Sequence, residues 1–187
     1  MSPSVGVLAL QGDFAAHLAC LQAIGVHAKL VRTPEHLDCV HALVIPGGES
    51  STLIRLLGES GLDALRRFSG AKAVLGTCAG AILLAAKVEP PGQPSVSAID
   101  MTIKRNAYGR QIDSSIRTGT FAGASMEMVF IRAPRIVRLG SGVEVLATLD
   151  GEPVAVRQGL ALAATFHPEL SGDLRFHRLL LDVAHGG

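Results

Sequence analysis

The first half of the chain alternates short apolar runs with stretches whose apolar residues recur at helical spacing. Short apolar runs bounded by turn residues are typical of buried strands, whereas apolar positions three and four apart indicate a helix with one buried face. The runs predict strands at Val5–Gln11, His27–Arg32, His41–Gly48 and Lys72–Thr77. The helical patterns predict helices at Asp13–Gly25, Ser50–Gly61 and Ala79–Lys87. Asp13 is a candidate cap of the first helix, and serines are available to cap the second.

The second half carries strand-like stretches and few helical patterns. The stretches are residues 101–106, 126–134, 134–140, 143–151, 152–159 and 160–169. The Asp150-Gly151 pair predicts a hairpin turn, and Ser171–Ala184 predicts a last helix. Alternating strands and helices followed by strands predict an α/β fold, a three-layer open sheet, mixed and mostly parallel, with helices on both faces. No repeat or low-complexity linker interrupts the chain, so we expect one domain over residues 1–187.

Composition and charge exclude several classes of protein. Of the 187 residues, 48% are hydrophobic and 18% charged, which is typical of a globular chain. A net charge of +1, from 17 basic and 16 acidic residues, gives no electrostatic surface for nucleic acid or an anionic membrane. No apolar run approaches the ~18 residues of a membrane span, and the N-terminus lacks the features of a secretory signal. We therefore expect no nucleic-acid partner, no membrane partner and a cytoplasmic location.

The cysteines and histidines suggest neither a disulfide framework nor a metal site. Cys20, Cys39 and Cys78 are odd in number and far apart, which favours a reducing compartment. The seven histidines show no metal-ligand spacing, so we expect no metal.

Cys78 stands at the joint between a predicted strand and a predicted helix. In open parallel sheets ligands bind beyond the carboxyl ends of the strands, where this joint lies. A sharp strand–nucleophile–helix turn needs small neighbours, which Gly76 and Gly80 supply. The helix N-terminus favours the thiolate, and the N–H of Ala79 is available to stabilise an oxyanion. The alternative is a small apolar side chain packed in the core, and this stretch alone does not decide between the two.

A cysteine nucleophile needs a base, and the base needs a group that orients it. His167 and Glu169 flank Pro168 at the end of a strand-like run. In an extended segment residues i and i+2 project to the same side, so the carboxylate is placed to hold the imidazole. Taken alone, the pair also fits a solvated turn. The histidines at positions 17, 177 and 185 lie in predicted helices without such a carboxylate.

The segment Ile45–Thr52 places two glycines between a strand and a helix. Their N–H groups can approach a substrate closely, and a helix N-terminus favours negative charge. A phosphate loop is the rival interpretation, but the lysine of that motif is missing. An oxyanion donor and a clamp on a small substrate fit better, although the segment also fits a plain turn.

The segments "PGGES", "GTCAG" and "FHPEL", in this order, resemble the class I, triad-type glutamine amidotransferases. Within that class the chain is similar to the glutaminase subunits of pyridoxal 5′-phosphate synthase, over nearly its whole length. The segments "GVLALQGDFAAH", "KRNAYGRQIDS" and "VFIRAP" carry this closer resemblance. One departure is visible, because Ala16 stands where family members often have a glutamate before His17, in a region that faces the partner in the family.

The resemblance implies a flavodoxin-like fold and a role for each matching residue. Cys78 would be the nucleophile, His167 the acid and base, and Glu169 its orienter. The substrate-binding positions would be Gly47, Gly48, Glu49, Arg105, Ile131 and Arg132. Backbone N–H groups of Gly47 and Ala79 would form the oxyanion hole.

These roles predict hydrolysis of L-glutamine to glutamate and ammonia through a thioester on Cys78, without metal or organic cofactor. The resemblance further implies delivery of the ammonia to a synthase subunit in a large hetero-oligomer that makes pyridoxal 5′-phosphate. Two alternatives stay open. One is a cysteine hydrolase of similar topology acting on another amide or ester, and the other is a non-catalytic regulatory subunit.

Overall fold

The computed structural model describes residues 4–105 and 114–186, which contain a large sheet, a small sheet and four α-helices. The helices are α1 (Phe14–Ala23), α2 (Ser50–Ser69), α3 (Ala79–Leu84) and α4 (Arg175–His185). The strands of the first half are β1 (Val5–Leu8), β2 (Lys29–Val31), β3 (Ala42–Ile45), β4 (Ala73–Thr77) and β5 (Ala85–Val88). Those of the second half are β6 (Ile99–Lys104), β7 (Ser114–Phe121), β8 (Ala124–Ile131), β9 (Arg135–Leu139), β10 (Glu144–Leu149), β11 (Glu152–Gln158) and β12 (Ala161–Ala164).

The large sheet has nine strands in the order β2-β1-β3-β4-β12-β11-β10-β7-β8. The strands from β2 to β12 pair in parallel, and those from β12 to β8 pair antiparallel. The predicted α/β fold with a mixed sheet is therefore confirmed. Strand β12 returns from the far end of the chain to lie beside β4, with Ala164 opposite Thr77. This pairing brings the chain after β12 next to the residue that follows β4.

Two apolar layers cover the faces of the large sheet. Along β3, Ala42 and Val44 belong to one layer, while Leu43 and Ile45 belong to the other, as the alternation of a strand requires. Helices α1 and α4 pack on the first face, and α2, α3 and the small sheet β5-β6-β9 pack on the second. The three-layer arrangement is thus confirmed, with a small sheet as part of one outer layer.

Three helix predictions need correction. The helix predicted for Ala79–Lys87 ends at Leu84, because the next residues form β5 and pair with β6, so sheet pairing overrides their helix propensity. The helix predicted for Ser50–Gly61 continues to Ser69 across a kink at Gly58, where φ is +61°. The last helix begins at Arg175 rather than at Ser171.

The hairpin predictions were incomplete. The Asp150-Gly151 turn is confirmed, with both residues at positive φ, as a two-residue hairpin of this type requires. The turn at Ala122-Gly123, which joins β7 to β8, was not predicted.

Residues 106–113, which carry most of the "RNAYGRQ" resemblance, lie outside the described part of the chain. Across the described ranges, no helix is both long and apolar enough to cross a membrane. The single domain over residues 1–187 stays a prediction.

Candidate active site

Cys78 occupies a strained turn between β4 and α3. Its φ of +48° and ψ of −102° are rare for a residue with a side chain. The surrounding sheet holds this conformation, because the N–H of Cys78 donates to Ala164 O at 2.8 Å and its carbonyl accepts from the N–H of Ile82 at 3.1 Å. Strained backbone of this kind at the end of a central strand is typical of nucleophile turns.

The glycines on either side of Cys78 are required by packing. A Cβ at Gly76 would lie about 2.5 Å from the backbone of Gly80, and a Cβ at Gly80 would overlap the carbonyl oxygen of Ile45. Helix α3 therefore passes against β3 and β4 with no room for a methyl group. This close approach is the physical reason for the small residues that the sequence places around the cysteine.

His167 and Glu169 are joined by a short hydrogen bond behind Cys78. The Nδ1 atom of His167 lies 2.7 Å from Oε1 of Glu169, and both residues are only 6% exposed. The predicted contact between them is confirmed, but the predicted extended backbone is wrong. Residues Pro168–Leu170 form a turn of 3₁₀ helix, and this turn brings the carboxylate back beneath the ring.

The protonation of this pair follows from its partners. Burial works against the charged imidazole, but its interactions with Cys78 and Glu169 raise the pKa of His167 from 6.5 to about 10. Burial likewise works against the carboxylate, but hydrogen bonds from His167 and His17 lower the pKa of Glu169 to about 2. At neutral pH the site therefore holds an imidazolium on an ionised carboxylate, so Nδ1 of His167 donates to Oε1.

A cavity of about 130 Å³ lies in front of Cys78 and His167. Its other lining residues are Gly48, Glu49, Ser50, Ile82, Arg105, Ile131 and Arg132. Seven of the sequence-predicted site residues therefore meet at one cavity, and Ser50 and Ile82 are additions. Sγ of Cys78 also lies 3.9 Å from the carbonyl oxygen of Ile131. Concave sites that combine apolar walls with a few polar groups are typical of small-molecule sites.

The glycine loop after β3 lies between Cys78 and His167 on one side and the loop after β1 on the other. A Cβ at Gly47 would come within 3.1 Å of both Cβ of Cys78 and Nδ1 of His167. Gly12, at a φ of +80°, packs directly on the carbonyl of Gly47. Gln11 contacts Gly48 and accepts a hydrogen bond from the N–H of Glu49 at 3.0 Å. Gln11 was not singled out from the sequence.

Glu49, rather than a serine, caps α2. Its carboxylate accepts from the N–H groups of Ser51 at 3.0 Å and Thr52 at 2.6 Å. Hydrogen bonds from Thr52 and Ser51 lower the pKa of Glu49 to about 2, against the opposing effect of burial. The predicted serine caps are therefore wrong, and the rim of the cavity carries a fixed negative charge.

Arg105 reaches the cavity from the end of β6. Its Nη1 donates to Oε1 of Gln93 at 2.6 Å and to Oγ of Ser51 at 3.0 Å. Gln93 also accepts from the hydroxyl of Ser50 at 3.0 Å, so it holds both polar groups in place. The sequence predicted Arg105 but not this support.

Ala79, one of the two predicted oxyanion-hole residues, does not line the cavity. It is fully buried at the first position of α3, directly after Cys78. Gly47 lies beside Cys78 and His167 but likewise does not line the cavity. The oxyanion hole formed by Gly47 and Ala79 stays a prediction.

Among residues 4–105 and 114–186, no group of three or more His, Cys, Asp or Glu side chains is arranged to hold a metal ion.

His17 and His177, which have no carboxylate next to them in the sequence, lie directly behind Glu169. Nε2 of His17 is 3.3 Å from Oε2 of Glu169 and 3.2 Å from Oγ1 of Thr77. Nδ1 of His17 is 2.9 Å from Nε2 of His177, and both histidines are fully buried. A signal for them existed, because His17 precedes the buried Leu21 by one helical turn and so lies on the apolar face of α1. A histidine on such a face requires a buried polar partner.

The arrangement supports covalent chemistry at a carbonyl carbon. A thiol held in a strained turn faces a cavity next to an imidazole, and a carboxylate orients that imidazole. These are the parts of a Cys-His-Glu triad, which is recognised by geometry and roles rather than by sequence order.

Comparison with known proteins gives a matching family and similar proteins from several bacteria. The family model for the SNO glutamine amidotransferase family matches residues 7–185. The chain is 56% identical over 185 residues to the pyridoxal 5′-phosphate synthase subunit PdxT of Koribacter versatilis, with 98% of this chain and 96% of that protein covered. It is 45% identical over 184 residues to the subunit PdxT of Thermotoga maritima, with 96% and 98% covered.

Solved structures agree with this family. A crystal structure of a glutamine amidotransferase superposes with a TM-score of 0.91 at 48% identity, covering 97% of this chain and 98% of that chain. A glutamine amidotransferase from Thermotoga maritima superposes with a TM-score of 0.64 at 14% identity, covering 100% and 91%. The second likeness shows a shared fold alone.

Proposed function

The chain belongs to the SNO glutamine amidotransferase family, and we propose that it is the glutaminase subunit of a pyridoxal 5′-phosphate synthase. It hydrolyses L-glutamine to glutamate and ammonia and delivers the ammonia to a synthase subunit. The observation that carries the proposal is the strained Cys78 turn, which lines one small cavity together with His167, whose ring is held by Glu169.

In the proposed mechanism, Cys78 is the nucleophile. Its thiolate, next to the His167 imidazolium, attacks the side-chain amide carbon of glutamine. His167 then gives its proton to the departing ammonia as the tetrahedral intermediate collapses to a thioester. The neutral imidazole next takes a proton from water, which attacks the thioester and releases glutamate. Glu169 holds Nδ1 of His167 protonated throughout, so that Nε2 exchanges the proton.

The proposed substrate contacts follow the charges around the cavity. The ionised Glu49 at the rim suits the substrate ammonium, and Arg105 and Arg132 suit its carboxylate. The backbones of Gly48 and Ile131 contribute the remaining contacts of the glutamine site. The N–H groups of Gly47 and Ala79 form the oxyanion hole, and removing one such donor costs on the order of 10²- to 10³-fold in rate.

The partner and the location extend the same proposal. The names of the relatives support a partner that is the synthase subunit, and we propose that the two form a large hetero-oligomer. A cytoplasmic location agrees with the free thiols of Cys20, Cys39 and Cys78.

Ammonia release from glutamine, with and without the synthase subunit, tests the proposal. Wild type with the synthase subunit should release ammonia, and Cys78→Ala should not. Asparagine, shorter by one methylene, should be turned over much more slowly. Turnover of another amide or ester in preference to glutamine would favour a different cysteine hydrolase. Absence of any turnover in the complex would favour a regulatory subunit.

A further inference from the structure

A chain of buried imidazoles extends the Cys-His-Glu triad beyond its carboxylate. Oε2 of Glu169, the oxygen that does not bind His167, contacts Nε2 of His17 at 3.3 Å. Within the described ranges Oε2 has no partner at ordinary hydrogen-bond geometry, so it is a buried acceptor that is not yet satisfied. The contact is long for a hydrogen bond, but catalytic hydrogen bonds in unliganded sites are often long and shorten when substrate binds. A buried carboxylate oxygen needs a donor, and His17 is the group placed to supply one.

The direction of each bond follows from what each atom can donate. An ionised carboxylate only accepts, so Nε2 of His17 carries a proton. In the neutral ring Nδ1 of His17 then accepts from Nε2–H of His177, at 2.9 Å. This leaves a lone pair on Nδ1 of His177, the one ring nitrogen of the two histidines without a hydrogen-bond partner in the described residues.

The alternative arrangement is less favourable. A charged His17 would donate from Nδ1 to His177 and force the proton of His177 onto its Nδ1. That would bury an N–H group without a partner, which is more costly than a buried lone pair on an imidazole. Burial is the main cause that lowers the pKa of His177 to about 4, so its ring is neutral at pH 7. Another titratable group near Glu169 is Cys20, whose thiol pKa is raised by burial and by the charges of Glu169 and Asp13.

We propose that His17, held in its tautomer by His177, is a positioning residue of the triad. Its Nε2–H fixes the rotamer of Glu169 and keeps the carboxylate ionised against its burial, so that Oε1 stays aligned on His167. The contact of the same Nε2 with Oγ1 of Thr77 ties this arrangement to the residue that precedes the nucleophile. This role rests on the proposed glutaminase function. It adds His17 and His177 to the three side chains of the triad.

The test is made in the complex with the synthase subunit. It compares His17→Leu, which removes the donor, with His17→Gln, whose amide nitrogen can replace Nε2–H. His17→Leu should lower kcat on the order of 10- to 100-fold, the loss found when the partners behind metal-bound histidines are removed, with KM for glutamine little changed. His17→Gln should recover most of this loss. His185→Leu, an exposed histidine on α4, is the matched control and should behave as wild type.

The pH profile separates positioning from a structural role. Loss of a donor to the ionised form raises the pKa of Glu169, so the acidic limb of kcat/KM should move to higher pH in His17→Leu. A merely structural role would lower the melting temperature and leave the limb in place. A folded His17→Leu with wild-type kcat and an unmoved limb would overturn the proposal. An inactive wild-type complex would overturn the glutaminase function instead.

Nitrogen NMR of ¹⁵N-histidine-labelled wild type provides a test that does not depend on whether a variant folds. At pH 7, His17 and His177 should both be neutral with the proton on Nε2, and His167 should be protonated on both nitrogens. A charged His17, or one with its proton on Nδ1 alone, would contradict the proposal.

Discussion

Replacing Glu169 by glutamine removes a negative charge from a buried hydrogen-bond chain while keeping the shape of the side chain. The amide oxygen can still accept from Nδ1 of His167, at the 2.7 Å seen for the carboxylate. The amide nitrogen would then face Nε2–H of His17, a donor against a donor. The substitution therefore weakens the stabilisation of the imidazolium and disturbs the group behind it.

The pKa of His167 indicates that its partners stabilise the imidazolium strongly. A rise from 6.5 to about 10 corresponds to about 5 kcal/mol in favour of the imidazolium, at ~1.4 kcal/mol per pH unit. Cys78 and Glu169 share this stabilisation against the cost of burial. A hydrogen bond to a charged group is worth about 1.5–3 kcal/mol, so the loss of the Glu169 charge should lower kcat roughly 10- to 150-fold.

The assay is ammonia release from saturating glutamine in the presence of the synthase subunit, with thermal unfolding to show that the variant is folded. KM should change little, because Glu169 does not line the cavity. Glu127→Gln, the same chemical change at an exposed position on β8, is the matched control and should leave kcat unchanged. A folded Glu169→Gln protein with wild-type kcat would refute the role of Glu169 as the orienting carboxylate.

Three further substitutions probe the packing, the helix cap and the substrate site. Gly80→Ala should lower the free energy of unfolding by about 3 kcal/mol in chemical denaturation, because the added Cβ overlaps the carbonyl of Ile45. Gly70→Ala, the control, should lower it by less than ~1 kcal/mol. Equal losses would refute the packing argument. Glu49→Gln should lose about 0.5–2 kcal/mol of helix capping above pH ~4.5. Its difference from wild type should shrink below that pH and vanish as the pH falls through about 2, where the wild-type carboxylate takes up its proton. A pH-independent difference would contradict the cap. Arg105→Lys should raise KM for glutamine on the order of tenfold with little change in kcat. The reason is that lysine cannot bond Gln93 and Ser51 and still present a planar pair of donors to the substrate carboxylate. An unchanged KM would remove Arg105 from the substrate site.

The parts of the site that follow one another along the chain were predictable from the sequence. Cys78 stands between an apolar run and a helical pattern, and glycines two residues away on each side mark a close approach of backbones. His167 and Glu169 are near neighbours in sequence, so their contact needed only a local turn. The kind of turn was not predictable, because Pro168 is compatible with both an extended segment and the first residue of a 3₁₀ helix.

The parts that depend on tertiary packing were not predictable. His17 and His177 come from opposite ends of the chain, and they meet because α1 and α4 pack on the same face of the sheet. The residues of β5 have helix-forming side chains, and only their pairing with β6 selects a strand. The support of Arg105 by Gln93 likewise depends on a loop whose course no local pattern indicates.

Covalent labelling by a glutamine analogue that carries an electrophilic carbon in place of the side-chain carboxamide tests the central claim most directly. The three cysteines provide an internal comparison, since Cys39 is exposed and Cys20 is buried behind Glu169. Peptide mass spectrometry of the complex should find one adduct, on Cys78, and an excess of glutamine should prevent it. Labelling of Cys39 instead, or ammonia release that persists without any adduct on Cys78, would contradict the account.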